Sequence, residues 1–409
     1  MSETSSLIAR QPICNKQLKV VAFELLYRMQ SKNNEAVVSD ADGATIDVLL
    51  SAFNDLSIND VVGNKLAFVN FTSNILLNQL PPISPKQLVI ELLEGQEVTP
   101  ALLKALERLR KKGYKIALDD FCLTKETIAL IEYADIIKLD VLEDEPESWA
   151  GYIPRLKDKG ITLLAEKVET YEVYEQCCEL GFDLFQGYFF AKPKVMSGKR
   201  ISNNELTILS LLSKLNSKDV NIEEVTKAIT QDANLSYNLL RTINSGLFCL
   251  PQKVDSIKHA IMMLGLNHLK SWINFLALSS LDSKPQALTD LAMLRAKMCE
   301  QLGKTISKRN TADDYFTVGL LSLIDAFFDM PMEDLIKKLS LSDAMKNALL
   351  KKEGEMGIAL ECAIRYQHGE WDDTGAKNNL LNSNIISMEN ITAAYLDSIQ
   401  WVEENRPMH

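Results

Sequence analysis

Glu24, Asn70, Glu91, Glu94, Asp119, Asp120, Lys138, Asp140, Glu166, Glu169 and Gln186 share one local setting, in or just after short apolar runs in the first half of the chain. The runs are FELLYR, FVN, VIELLE, ALDD, IIKLD, LLAEKVE and FQGYFF. Oxygen donors in that number, brought to one place, repel each other unless a hard divalent cation sits among them. Glu24, Asn70, Glu91 and Asp119 offer oxygen without His or Cys, a donor set that favours Mg²⁺ or Mn²⁺ over Zn²⁺. Two such ions about 3.5–4 Å apart, bridged by a carboxylate, hydrolyse phosphodiesters by activating water and stabilising both the attacking and the leaving oxygen. Lys138 is then placed to orient the water or to neutralise charge developing on phosphorus. A single acid at a strand end is ordinarily solvated or caps the next helix. Seven runs ending alike are not explained in that way.

The elements that must position these residues follow from the same runs. Strands buried on both faces read as continuous apolar stretches, and in a (β/α) barrel the reacting groups stand where the strands exit. From about Leu7 to Pro193 strand and helix patterns alternate. KLAFVNF is followed by a Pro-rich break, then QLVIELLE, then the amphipathic TPALLKALERLRKKG, stopped at Gly113. YKIALDDF, ADIIKLDV, ITLLAEKVE and FDLFQGYFF continue as strands, with WAGYIPRLKDKG and VYEQCCELG as helices between them. The expected fold is an α/β TIM-like (β/α) barrel. Its strand count falls one short of eight unless LIARQPI adds a strand or an edge hairpin. Asp119 and Asp120 alternate in direction on a strand, so both face the mouth only if the chain twists there. From about Ser202 the strand signal stops. ELTILSLLSKL, IEEVTKAITQD, LSYNLLRTINSG and SIKHAIMMLGLNHLKSWINFLAL predict an all-α second domain, reached through the linker KPKVMSGKR. The expected division is 1–200 and 201–409.

Composition excludes several functions. No window of this 409-residue chain approaches the roughly 18 consecutive apolar residues that span a bilayer, so membrane insertion is not expected. MSETSSLIARQPIC lacks a basic segment followed by an apolar core, which argues against a secretory signal. Seven cysteines without a CxxC pair suit reduced thiols in a cytoplasm, with Cys177 and Cys178 as packing residues. A net charge of −11 argues against binding a nucleic acid polymer, which needs a clustered basic footprint. A small anionic ligand held through metal is compatible with it.

Taken in order, the motifs of the first half resemble the EAL family of cyclic di-GMP phosphodiesterases. They are QPI at Gln11 to Ile13, ELLYR at Glu24 to Arg28, VNFTS around Asn70, ELLE at Glu91 to Glu94, DDF at Asp119 to Phe121, KLD at Lys138 to Asp140, AEKVET at Ala165 to Thr170, and QGYFFAKP at Gln186 to Pro193. The resemblance implies that Glu24, Asn70, Glu91 and Asp119 are metal ligands, with Asp120 and Glu166 near a second ion. Glu24, Lys138 and Glu166 are the implied catalytic groups, Lys138 assisting the water. It further implies that Arg28 touches a phosphate, that Gln11, Glu169 and Gln186 lie close to the nucleotide, and that Glu94 anchors the loop after Asp119-Asp120. ELLYR and the ARQPI opening resemble a subgroup that carries a second domain named HDOD. The second half is similar to that domain in LSYNLLRTINSGLFCLPQKVDSIKHAIMMLGLNHLKSWINFLAL, FTVGLLSLIDAFFDMPMEDLI and YQHGEW. HDOD is related to HD phosphohydrolases, in which a His-Asp pair binds metal. Here Ser322 and Leu323 stand at that place and cannot coordinate. His259, His268 and His368 have no acidic partners at ligand spacing, and the apolar stripe of AIMMLGLNHLKSWINFLAL reads as core. The second domain is therefore expected to be noncatalytic and to engage a protein partner.

Two departures from the family pattern stand out. The glycine-containing stretch after Asp119-Asp120-Phe121 is replaced by Cys122-Leu123-Thr124-Lys125-Glu126, and Lys167 stands where the family has glycine. The family loop couples substrate, metal and dimer interface, so self-pairing of the barrel is also expected. The leading expectation is metal-dependent hydrolysis of cyclic di-GMP to linear pGpG in bacterial second-messenger signalling, as in biofilm formation or motility. The altered loop motivates an alternative, a catalytically weak or inactive cyclic di-GMP receptor. A third reading makes both domains protein-interaction surfaces.

Overall fold

The structure is a computed structural model and describes residues 6–29, 58–78, 84–143, 146–194, 202–217, 220–231, 233–244, 253–254, 256–281, 284–307, 312–370 and 386–405. It divides into two compact units, 1–190 with 367–370, and 191–366 with 371–409. The expected linker lies outside the described residues from Val195 onward.

Eight strands close a barrel in sequence order: β1 Ser6–Asn15, β2 Val20–Met29, β3 Leu66–Phe71, β4 Leu88–Leu92, β5 Lys115–Leu118, β6 Ile136–Asp140, β7 Thr162–Glu166 and β8 Leu184–Gln186. LIARQPI supplies the missing strand. It forms β1, which runs antiparallel to both β2 and β8, while the remaining pairs are parallel. β4 and β6 are buried at every position, including the charged Glu91, Lys138 and Asp140 that interrupt their apolar runs. The last strand is shorter than FDLFQGYFF suggested. Gly187, at φ 142°, ends it after Gln186, and Phe189–Ala191 form a 3₁₀ turn.

The helices beside the barrel are α1 Ile58–Val62, α2 Ser73–Asn78, α3 Pro100–Lys111, α4 Ile153–Asp158 and α5 Tyr171–Leu180. Helix α3 shows why: Thr99 caps it by accepting from Leu102 N–H, Pro100 opens it, and Leu102, Ala105, Leu106 and Leu109 bury one face. The barrel's interior layer draws one residue from every strand. Ile13, Ala22, Phe68, Val89, Ala117, Ile136 and Leu164 pack together, with Leu184 against them.

The second unit is helical throughout its described residues: α6 Asn203–Leu215, α7 Ile222–Gln231, α8 Ala233–Ile243, α9 Ile257–Leu264, α10 Leu266–Ser279, α11 Gln286–Ile306, α12 Ala312–Leu321, α13 Ile324–Phe328, α14 Met332–Lys338, α15 Asp343–Lys351, α16 Gly354–Gln367 and α17 Met388–Asn405. The long apolar pattern SIKHAIMMLGLNHLKSWINFLAL breaks at Gly265 into α9 and α10. Its α10 part is core, with Leu269, Trp272, Ile273, Phe275 and Leu276 buried, while Met262 on α9 is exposed. Helices α11 and α12 approach so closely that a Cβ on Gly319 would lie 2.7 Å from Arg295 O. No helix among the described residues is long and apolar enough to cross a membrane.

Candidate active site

Each strand places one polar side chain two residues from its contribution to the apolar layer. Ala22 is followed by Glu24, Phe68 by Asn70, Val89 by Glu91, Ala117 by Asp119, Ile136 by Lys138, Leu164 by Glu166 and Leu184 by Gln186; on antiparallel β1, Ile13 is preceded by Gln11. Side chains on a strand return to the same face every second residue, so these eight positions share the barrel interior one layer nearer its mouth. The sequence has replaced one apolar layer with a layer of acids, amides and a lysine.

Lys138 is the hub of that layer. Its Nζ lies 2.6 Å from Asp119 Oδ1, 2.7 Å from Glu91 Oε1, 2.8 Å from Glu166 Oε1 and 3.4 Å from Glu24 Oε2. The side chains of Lys138 and Glu91 are 1% and 0% exposed, so bulk water offsets neither charge. Amides complete the ring. Asn70 Nδ2 donates to Glu24 Oε1 at 3.2 Å, and Gln186 Nε2 donates to Glu24 Oε2 at 2.5 Å and to Gln11 Oε1 at 2.9 Å.

Four carboxylates around one ammonium leave an excess of negative charge in a dry place. Burial first, then the charge of Glu24, holds the Glu91 carboxyl well above its ordinary range despite Lys138. Burial likewise raises Asp119, and burial with the charges of Asp119 and Glu24 pushes Glu166 up to about 8. For Lys138 burial works downward, but the carboxylates of Glu91, Glu24, Glu166 and Asp119 override it and hold the ammonium well above the usual lysine range. Lys138 is thus a fixed cation and a donor. It does not serve as a proton acceptor near neutral pH.

At the rim, Asp120 follows β5 at φ 39°, the twist by which adjacent aspartates both reach the mouth. Lys167 follows β7 at φ 54°, a left-handed conformation that costs a lysine roughly 1–2 kcal/mol. Its ammonium pairs with Asp140 Oδ2 and lies 3.9 Å from Asp120 Oδ2. Asp140 also accepts from the backbone N–H groups of Leu142 and Glu143. Burial acts upward on Asp140, but these partners hold its carboxyl below the ordinary range. The sequence marks Asp140 as one of the polar groups after the apolar runs and Lys167 as a departure, but gives neither a role in the site. The available signal was a lysine in place of glycine directly after Glu166.

The other expected residues fall apart from this cluster or beyond the described atoms. Glu94 and Glu169 are exposed in the turns after β4 and β7. Arg28 pairs with Leu7 across β1 and β2, and its side chain lies outside the described residues. The altered stretch Cys122–Glu126 is exposed and held by reciprocal threonine bonds. Thr124 N–H donates to Thr127 Oγ1 at 2.9 Å, Thr127 N–H to Thr124 Oγ1 at 3.1 Å, and Thr127 Oγ1 to Cys122 O at 2.6 Å.

As the side chains stand, no group of three or more acidic, His or Cys residues among the described residues forms a metal site. The ammonium of Lys138 stands among the carboxylates instead. The donor set nevertheless fits a hard divalent ion. Glu91 Oε2, Asp120 Oδ1 and Gln186 Oε1 are buried without a hydrogen bond, and the layer carries more carboxylates than its lysine offsets.

In the helical unit, Ser322 accepts from Arg295 Nη1 at 3.1 Å and donates to Gly319 O, while Leu323 is buried. An arginine therefore borders Ser322 and Leu323, the positions that cannot coordinate a metal. His268, expected to lack an acidic partner, lies with Nδ1 3.3 Å from Asp313 Oδ1, a neighbour brought in from α12.

Family comparison assigns both units. The EAL domain matches residues 6–193 and the HDOD domain residues 205–358. The chain is 36% identical to YuxH of Bacillus subtilis, over 96% of this chain and 97% of that protein. The chain belongs to the EAL–HDOD family. It is also 28% identical to CdgJ of Vibrio cholerae, a cyclic di-GMP phosphodiesterase, over 98% of this chain and 93% of that one. Among solved structures it is similar to Klebsiella pneumoniae BlrP1 in its calcium and cyclic di-GMP complex, at 25% identity and a TM-score of 0.38, covering 46% of this chain and 55% of that one.

Proposed function

We propose that the EAL barrel, taken as residues 1–200, hydrolyses cyclic di-GMP to linear pGpG with Mg²⁺ or Mn²⁺, and that the HDOD domain, taken as 201–409, is a noncatalytic module that engages a protein partner. The observation that carries the reading is the polar layer around Lys138, in which every strand of the barrel contributes one group. The kinship with CdgJ points to the same substrate.

Glu24, Asn70, Glu91 and Asp119 would hold the metal, with Asp120 and Glu166 beside it. When bound, a divalent ion supplies an acidified water and a positive charge for the phosphoryl oxygens. The chain's own groups do the rest. Lys138, held protonated, donates to the attacking water and steadies negative charge as it builds on phosphorus. The water's proton passes to a carboxylate of the layer, and Glu166, whose Oε1 lies 2.8 Å from Lys138 Nζ, is the group placed to take it. Gln11 and Gln186 orient Glu24 through their hydrogen bonds and lie where a guanine or ribose edge would meet the wall. Arg28 and Glu169 complete the nucleotide contacts in this reading, and Glu94 steadies the loop at 122–126.

The test is a chromatographic assay of full-length protein with cyclic di-GMP and Mn²⁺. Linear pGpG is expected from the wild type and not from Glu24→Gln. The self-bonded loop at Cys122–Glu126 favours a second reading, a receptor that binds without turnover. Calorimetric binding of cyclic di-GMP with no product above the variant would replace the enzyme by that receptor.

A further inference from the structure

Lys167 stands at the barrel mouth with no part in the hydrolysis proposed above. Its left-handed backbone suits glycine. The turn that carries it is held fast, because Val168 N–H donates to Gln186 O at 3.0 Å and a Cβ on Gly187 would lie 2.1 Å from Val168 O. A charged side chain is thus kept where sterics disfavour it, and that side chain has definite partners. Its ammonium pairs with Asp140, itself anchored by two backbone N–H groups, and lies 3.9 Å from Asp120 Oδ2.

The acids of the mouth therefore fall into two sets. Glu24, Glu91, Asp119 and Glu166 share Lys138, and their excess charge can accept a divalent ion. Asp120 and Asp140 share Lys167, whose half-exposed ammonium offsets one of their two charges, whereas Lys138 offsets one of four. A second dication on Asp120 would face a like charge a few ångströms away, with Asp140 already engaged. We infer that Lys167 is a tethered cation that takes the place of a second divalent ion beside Asp120, so that this barrel binds one Mg²⁺ or Mn²⁺ instead of two.

The inference rests on the metal-dependent reading, and its test separates the two. Full-length protein stripped with EDTA is titrated with Mn²⁺ alone, by calorimetry and by electron paramagnetic resonance, as wild type, Lys167→Met and Lys167→Gly. Ions lost in Glu91→Gln are counted as belonging to the barrel. The wild type should bind one barrel Mn²⁺ with an isolated-ion spectrum, and both Lys167 variants a second, spin-coupled to the first. Two coupled ions in the wild type, or one ion in both variants, would overturn the role of Lys167 and leave the metal reading standing. A second ion in Lys167→Gly alone would assign the effect to backbone strain and overturn the charge argument. No barrel Mn²⁺ in any of the proteins would overturn both.

Discussion

The two domains treat a buried cation in opposite ways. In the EAL barrel Lys138 is surrounded by four carboxylates, and the layer keeps an unbalanced negative charge. In the HDOD domain Arg295 is buried on α11 against Ser322, at the place where a His-Asp pair would mark a metal site, and Leu323 beside it is apolar. In the proposed reading the first arrangement accepts a divalent ion, whereas the second sets an arginine hydrogen-bonded to Ser322 at that place. The difference lies in what each buried cation meets: four carboxylates at Lys138, a serine hydroxyl at Arg295.

The largest expected effect lies at the centre of the barrel layer. Glu91→Gln removes one charge from a fully buried carboxylate, and turnover should fall by about 10²–10³-fold or more while the fold persists by circular dichroism. Equal activity in this variant would break the contrast between the domains at its strongest point. Lys138→Met comes next. It leaves four buried carboxylates without their shared cation, and the metal-free protein should lose about 3–5 kcal/mol in urea denaturation. Mn²⁺ should recover part of that loss, because a dication can replace the ammonium.

A pH series sharpens the same point. Glu166 is raised to about 8 in the folded chain, and Glu91 and Asp119 are raised also. A carboxyl raised by folding binds its proton more tightly in the native state. Its contribution is complete below the unfolded value near ~4.3 and is lost as pH climbs through about 8. In EDTA the melting temperature of the full chain should therefore fall by several degrees between mildly acidic and mildly alkaline buffer. With Mn²⁺ present the slope should flatten, since the metal favours the ionised carboxylates. The smallest effect belongs to the helical half. Arg295→Met should cost about 1–3 kcal/mol through the loss of its bond to Ser322, and leave cyclic di-GMP turnover within a factor of two.

Much of this was legible in the sequence because strand burial is a period-two signal. IIKLD and VIELLE announce a polar group inside a wall otherwise apolar, so Lys138 and Glu91 stand out from their neighbours. The capping of α3 by Thr99 and its stop near Gly113 were equally local. What the sequence concealed depends on distance along the chain. That the converging acids share the single ammonium of Lys138 depends on strands far apart in the chain, and the Lys167–Asp140 pair joins the turn after β7 to the end of β6. The true length of β8 was hidden because Phe189 and Phe190 are buried in a turn and read as a continuing strand. His268 met Asp313 through helix packing, which spacing alone does not reveal.

The most direct measurement of the central claim is turnover of cyclic di-GMP by EDTA-stripped full-length protein before and after Mn²⁺ is restored, with Glu91→Gln in parallel. The layer around Lys138 predicts linear pGpG only after the metal is returned, and only in the wild type. Product that forms in EDTA, or that forms equally in Glu91→Gln, would show that hydrolysis does not depend on this layer.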